Sequence, residues 1–221
     1  MIGSITRALV GVPNEFHSVV LDVVNNLSTS VERAAWHARL EEVLREGLVD
    51  AKALVKNLFE KVLEVTLHAS PEKLTAECFT NRLRYYPRDG DLDKRLPKSQ
   101  PAQAKQEFRA QELTREASFL EMVKNIFSTD GTVASYSRLL IEGGHIVTLP
   151  KIEELIDRQE GGEDVGLKTN GYANLFFVLN DDGTVSVVRV FRCDGQWYVR
   201  VFRLDDARRW DAESHVFLRN S

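Results

Sequence analysis

The first 80 residues carry apolar side chains at the three- and four-residue spacing of amphipathic helices. The segment 29–47 opens on the capping-box sequence Thr29-Ser30-Val31-Glu32, and the segment 70–79 opens on Ser70-Pro71. Both are common starts of helices. Residues 1–80 are therefore predicted to form a helical bundle. The segments with this spacing are 13–27, 29–47, 50–68 and 70–79.

Residues 81–103 interrupt this pattern, because prolines and a glycine lie among six basic side chains there. This composition predicts a basic connector. Apolar residues at helical spacing return afterwards and predict one long helix from about Ala102 to Phe127. Two shorter helices are predicted over Val133–Ile141 and Pro150–Gln159.

After Gly171 the apolar spacing changes to every second residue, which indicates β-strands. Asn180-Asp181-Asp182-Gly183 and Asp194-Gly195 are typical hairpin turns, so they predict a three-strand antiparallel meander and its register. The tail Ser214–Asn220 is predicted to add a fourth strand. In the predicted register Arg189 lies opposite Leu175 and Arg200, Phe191 opposite Ala173 and Tyr198, and Val187 opposite Phe177 and Phe202.

This order of elements predicts an α+β fold, with an N-terminal helical bundle followed by a C-terminal antiparallel β-meander of three to four strands. The predicted units are residues 1–80, 81–103 and 104–221, and one continuous domain also fits. Both faces of the meander are largely apolar, whereas an antiparallel sheet with one side in water would have one polar face. Helices can cover one face, so a protein partner or a second copy of the chain is inferred for the other. The leading hypothesis is therefore a non-enzymatic protein-interaction or self-association module.

The charge of the whole chain is small, with 29 basic and 33 acidic residues among 221 and a formal charge of −4. This balance excludes a uniformly basic nucleic-acid binder. Local sites remain open, because residues 81–116 carry nine basic and six acidic side chains. All seven basic residues after Gly171 are arginines, which favours fixed, bidentate contacts with anions.

The main candidate site lies within the meander, where the register places Arg189 directly opposite Arg200. Two guanidinium groups in this position repel each other unless an anion or a carboxylate lies between them. With Phe191 and Tyr198 beside them, they could form a ligand-binding surface for a small anion or for single-stranded RNA. The alternative is that carboxylates from the helices or from a second subunit pair with both arginines.

A secondary candidate lies in the connector, where Arg82, Arg84 and Arg88 alternate with two tyrosines. The acidic run Asp89-Gly90-Asp91-Leu92-Asp93 follows, but it lacks the central glycine and the final glutamate of a calcium-binding loop. We therefore predict no metal site.

No residue spacing predicts catalysis. None of the five histidines has the spacing to a cysteine, serine or acidic residue that a catalytic triad would suggest, and no common nucleotide-binding or hydrolase motif occurs. We therefore predict no catalytic residues and no cofactor, and we lean against an enzyme. Residues 117–170 have a net charge of −4, which makes duplex DNA an unsuitable partner. Two widely spaced cysteines and no long apolar run predict a cytoplasmic protein without membrane contact.

Overall fold

Six strands form one mixed sheet in the order β1-β4-β8-β5-β6-β7. The structure, a computed structural model, describes residues 58–87 and 89–220, all within one unit of the chain that covers residues 58–221. All neighbouring strands are antiparallel except β5 and β8, which are parallel. The six strands are β1 (Phe59–Leu67), β4 (Gln106–Leu113), β5 (Asn174–Leu179), β6 (Val185–Cys193), β7 (Gln196–Arg203) and β8 (His215–Arg219). Strands β2 (Lys73–Leu74) and β3 (Ser99–Gln100) form a separate two-stranded sheet.

Four α-helices accompany the strands in the described residues, together with a short 3₁₀ turn over Thr75–Glu77. Ser118 and Thr132 each begin a helix with a capping box, because their hydroxyls accept a backbone N–H from the residue three positions later. The last helix has a proline in its first turn, where the missing N–H costs nothing. The helices are α1 (Asp91–Arg95), α2 (Phe119–Phe127), α3 (Val133–Glu142) and α4 (Leu149–Glu160).

The helices cover the sheet on both sides. On one side, which we call the α4 face, Ile152 and Leu155 of α4 pack in one cluster with Val188 and Val190 of β6. On the other side, the α2–α3 face, residues of α2 and α3 pack in a second cluster with Leu175, Phe177 and Val187. The central strands β5 and β8 therefore bury apolar side chains in both directions, as in sheets covered on both faces.

The predicted fold class is wrong, because the fold is a mixed α/β arrangement in which strands form the larger share. Residues 59–67, predicted to lie in a helix, form strand β1, and residues 106–113 of the predicted long helix form strand β4. Residues 70–79 contain only β2 and a single 3₁₀ turn instead of a helix. The segments 13–27 and 29–47 of the predicted bundle lie outside the described residues.

The predicted meander itself is confirmed within the larger sheet. Arg189 pairs with Leu175 and Arg200, and Phe191 pairs with Tyr198. The tail also forms a strand, β8, but it does not extend the meander at its free edge. It lies between β4 and β5 and joins the two halves of the sheet.

Candidate functional site

The main candidate residues lie side by side on the α2–α3 face, at the end of the sheet formed by β6 and β7. Arg189 and Phe191 alternate with Val188 and Val190, which point to the α4 face. On β7, Arg200 lies opposite Arg189, and Tyr198 lies opposite Phe191. All four candidate side chains are partly exposed. The two hairpin turns therefore place them where the register predicted.

Aromatic rings and one guanidinium group form a continuous stack on this surface. Tyr86 stacks on Tyr198 with ring centroids 4.2 Å apart, and Tyr198 stacks on Phe191 at 4.8 Å. The Cζ atom of Arg189 lies 3.9 Å from the centre of the Phe191 ring, a cation–π contact. Tyr86 ends the stack and is 39% exposed. The Cζ atom of Arg200 lies 5.9 Å from the centre of the Tyr86 ring.

A loop after β7 adds a third arginine, Arg208, and a further aromatic ring, Trp210. The Cζ atom of Arg208 lies 4.6 Å from the centre of the Phe202 ring, and the Cζ atom of Arg189 lies 5.2 Å from the centre of the Trp210 ring. Trp210 holds this loop against the start of α2, because its backbone exchanges two hydrogen bonds with Ala117. The result is a surface of three arginines among aromatic rings. We call it the Arg/aromatic face and define it by Arg189, Arg200, Arg208, Tyr86, Phe191, Tyr198, Phe202 and Trp210.

The charges on this face repel one another. Burial lowers the pKa of Arg189, and the nearby guanidinium groups of Arg208 and Arg200 lower it further, while Asp211 acts in the opposite direction. The Nε–H of Arg189 is buried and has no hydrogen-bond partner. An anion next to the exposed part of this guanidinium group would reduce the repulsion.

Among the described residues, no carboxylate lies within ion-pair distance of Arg189, Arg200 or Arg208. The predicted alternative, pairing with carboxylates of the helices, is therefore absent from this part of the chain. The acidic side chains of α4 form ion pairs on the opposite face of the sheet. There Glu153 pairs with Lys73 at 2.6 Å, and Glu160 pairs with Arg192 at 3.4 Å.

The secondary candidates do not form a site together. The segment from Arg82 runs along the free edge of β7, where the backbones of Arg84 and Tyr86 bond to that of Trp197. Arg84 forms an ion pair with Asp157 of α4, and Arg82 is exposed. Arg88 lies outside the described residues. The connector instead contributes Tyr86, which ends the aromatic stack.

The sequence interpretation missed Tyr86, Arg208 and Trp210 as members of the face. Tyr86 was named only as part of the connector, because nothing local shows that this segment borders β7. Trp210 is a large apolar residue within the polar run 205–214, and this isolation was a usable signal that it is buried.

A separate cleft of about 450 Å³ lies near the β5–β6 turn, between Arg95 and Arg203. Its charges already have partners, since Arg203 makes a bidentate contact with Asp205 at 2.7 Å. Asp181 and Asp182 also line it, so positive and negative side chains are mixed. The cleft therefore offers less to a single class of ligand than the Arg/aromatic face does.

The described residues contain no group of three or more histidine, cysteine or acidic side chains placed to hold a metal ion. Cys193, at the tip of the β6–β7 hairpin, is exposed, and slight desolvation together with the charge of Asp194 raises the pKa of its thiol. A raised pKa lowers the thiolate fraction and so the reactivity.

Lys151 is fully buried, and its Nζ donates to Ala104 O at 2.6 Å and Gln106 Oε1 at 2.7 Å. We therefore assign Lys151 a structural contact between α4 and β4.

Comparison with protein-family models, with curated proteins and with solved structures finds no match to this chain. In the part of the chain that the structure describes, no helix is long and apolar enough to cross a membrane. The candidate site is therefore interpreted from its own geometry.

Proposed function

We propose that this protein binds single-stranded RNA on the Arg/aromatic face. One observation carries the proposal: Arg189 and Arg200 lie opposite each other across two paired strands, and neither has a carboxylate partner in the described region. Arginines in this position need negative charge from outside. The phosphates of a nucleic acid supply such charge, and guanidinium groups bind them in bidentate geometry.

The aromatic rings favour a nucleic acid over an acidic protein segment as the source of that charge. A carboxylate-rich peptide would need only the arginines, whereas bases also stack on exposed rings. Tyr86 is positioned for this role, because it is exposed and already stacks on Tyr198 with the planes 15° apart. A base beyond Tyr86 would extend the stack by one ring. Single strands fit better than duplexes because their bases are free to stack.

The hypothesis of a protein partner or of self-association stays a prediction. It was inferred from two apolar faces, and the structure accounts for most of both faces with the protein's own helices. We also keep the cytoplasm as a prediction. It rests on the two widely spaced cysteines of the sequence, Cys78 and Cys193.

Fluorescence anisotropy with a labelled oligouridine of about 10 nucleotides tests the proposal. We compare the double variant Arg189→Gln/Arg200→Gln with the control Lys61→Gln/Arg138→Gln. The control removes the same charge from exposed residues of β1 and α3. The double variant should weaken binding at low salt at least tenfold. It should also flatten the plot of log affinity against log salt by about 0.7 for each lost phosphate contact.

The variant Tyr86→Leu separates stacking from charge. It should cost about 1 to 3 kcal/mol of binding free energy and leave the salt slope unchanged. Equal binding by the double variant and its control would overturn the proposal. Competition by polyglutamate as strong as that by unlabelled oligouridine would also overturn it and indicate an acidic protein partner.

A further inference from the structure

The segment that carries Tyr86 is held against β7 by pairing with a single residue of that strand. We call residues 81–86 the edge segment. The backbone N–H of Trp197 donates to Arg84 O at 2.8 Å, and the N–H of Tyr86 donates to Trp197 O at 2.9 Å. These bonds form a parallel bridge between Tyr85 and Trp197. The position of Tyr86 therefore depends on how the edge segment is held at this one point.

Two neighbouring tyrosines of the edge segment contact opposite faces of the sheet, as successive side chains of a strand do. Tyr85 is 3% exposed and packs in the cluster of the α4 face with Trp197, with its ring edge-on to Phe79 at a centroid distance of 5.3 Å. Tyr86 stacks instead on Tyr198 of the Arg/aromatic face. Contacts on the α4 face therefore determine where the Tyr86 ring lies on the other face.

The last turn of α4 holds both partners of this pairing. Asp157 forms an ion pair with Arg84 of the edge segment. Three residues later, Glu160 accepts the indole N–H of Trp197 at 2.9 Å. Residues three apart lie on the same side of a helix, so one turn of α4 fixes the edge segment and the β7 residue with which it pairs. The side chains of Arg84 and Asp157 are 34% and 54% exposed, so substitution of either one leaves no cavity in the core.

We propose that Asp157, acting through Arg84, is a positioning residue for Tyr86 and therefore for base stacking on the Arg/aromatic face. This inference rests on the proposed RNA-binding function and assigns a role in it to the opposite side of the sheet. Asp157 itself does not touch the RNA. The coupling is reciprocal, so RNA that stacks on Tyr86 should also stabilise the edge segment.

Hydrogen exchange followed by NMR, without RNA, tests the positioning directly. Asp157→Asn should accelerate exchange of the Tyr86 and Trp197 amides about two- to fivefold, as expected for loss of a partly exposed ion pair that opposes local opening. The amide of His215, which donates to Ala173 O at 2.8 Å, serves as a reference in the centre of the sheet. Its exchange should not change.

The matched control is Glu64→Gln. It removes the same charge from an exposed ion pair with Lys61 on β1, at the opposite edge of the sheet. This variant should leave the exchange of the Tyr86 and Trp197 amides unchanged.

RNA binding gives a second readout, in which positioning and charge have opposite signs. Loss of a negative charge would by itself strengthen the binding of a polyanion. Asp157→Asn should instead weaken oligouridine binding about two- to fivefold at moderate salt, because the Tyr86 ring is less well held. In a protein that already carries Tyr86→Leu, Asp157→Asn should weaken binding no further, because the ring that it positions is gone.

Unchanged exchange of the Tyr86 and Trp197 amides in Asp157→Asn would overturn the positioning role. Oligouridine binding by Asp157→Asn that equals or exceeds that of the unaltered protein would also overturn it, as would equal weakening with and without Tyr86. Failure of the unaltered protein to bind oligouridine would overturn the RNA-binding function alone. The exchange rates, which need no RNA, would still decide whether Asp157 positions Tyr86.

Discussion

The two faces of strands β6 and β7 use the same residue types in opposite ways. On the α4 face, Trp197 is fully buried, and its indole N–H donates to Glu160 at 2.9 Å. Glu160 also pairs with Arg192. On the α2–α3 face, the next residue, Tyr198, is partly exposed, and Arg189 and Arg200 have aromatic neighbours instead of carboxylates.

The difference comes from the helix that covers each face. Helix α4 presents Glu153, Glu154, Asp157 and Glu160, and each of them contacts a basic or N–H group of the sheet or its borders. The Arg/aromatic face instead receives the loop 204–214, which adds Arg208 and Trp210. The same pair of strands thus has ion pairs on one side and arginines without carboxylate partners in the described residues on the other.

Removal of the two neighbouring aromatic residues of β7 gives the largest expected contrast. Trp197→Ala should cost about 3 to 5 kcal/mol of unfolding free energy, because it leaves a cavity in the core and removes the indole hydrogen bond to Glu160. Tyr198→Ala loses ring stacking at a partly exposed position and should cost about 1 to 2 kcal/mol. Urea denaturation of both variants measures this difference. Equal losses would mean that the two faces are equally packed.

The stability of the protein should also depend on pH through His145. Burial and the charges of Arg109 and Arg219 lower the pKa of this histidine, and no acidic side chain contributes to the shift. Its pKa is about 4 in the folded protein and 6.5 in the unfolded chain, so the unfolded chain binds more protons between these values. The folded state should therefore lose up to about 3 kcal/mol as the pH falls from 6.5 to 4. Urea denaturation across this range measures the loss. His145→Asn should remove most of it, and an unchanged dependence would assign the effect to other groups.

Replacement of one arginine on each side of the sheet tests the role of the carboxylates directly. Arg158 of α4 bonds to Glu163 at 2.5 Å, to Glu154 at 3.2 Å and to the backbone oxygen of Thr66. Arg158→Met removes these three contacts and should cost about 2 kcal/mol.

Arg189→Met should change stability by about 0.5 kcal/mol or less, because it removes no ion pair and relieves repulsion from Arg200 and Arg208. Thermal unfolding of the two methionine variants in one buffer provides the comparison. A large loss for Arg189→Met would show that Arg189 has a structural partner, which would weaken the case for an external anion.

The meander was predictable because its information is local. Gly183 and Gly195 have positive φ, as the two hairpin turns require, and these turns set the register between β5 and β7. Helices α3 and α4 were predicted close to their observed bounds for the same reason, since their starts and apolar spacing lie within the segment.

Strands β1 and β4 were mistaken for helices because distant partners determine them. The sequence of β4 is rich in glutamine, glutamate and alanine, which favour helices, but its backbone pairs with both β1 and β8. In β1, Leu63 is half-buried and Val65 and Leu67 are buried, at the two-residue spacing of a strand. Further apolar residues before them, Leu58, Phe59 and Val62, gave the segment the pattern of a wide helical stripe.

One part of the candidate site was likewise predictable from local sequence, and another part was not. The facing arginines of β6 and β7 follow from the turns, and they were identified. Tyr86 and Trp210 reach the site from segments that are far away in the sequence, so neither periodicity nor composition could place them there.

The position of β8 has a consequence for how the chain folds during synthesis. Strand β8 comes last among the described strands, yet it lies between β4 and β5 and provides the link between the β1–β4 pair and the β5–β7 meander. Before β8 is available, the β1–β4 pair and the β5–β7 meander are separate, and the facing edges of β4 and β5 are unpaired. Such edges are prone to aggregation. Assembly of the continuous sheet must wait until residues 215–219 have left the exit tunnel.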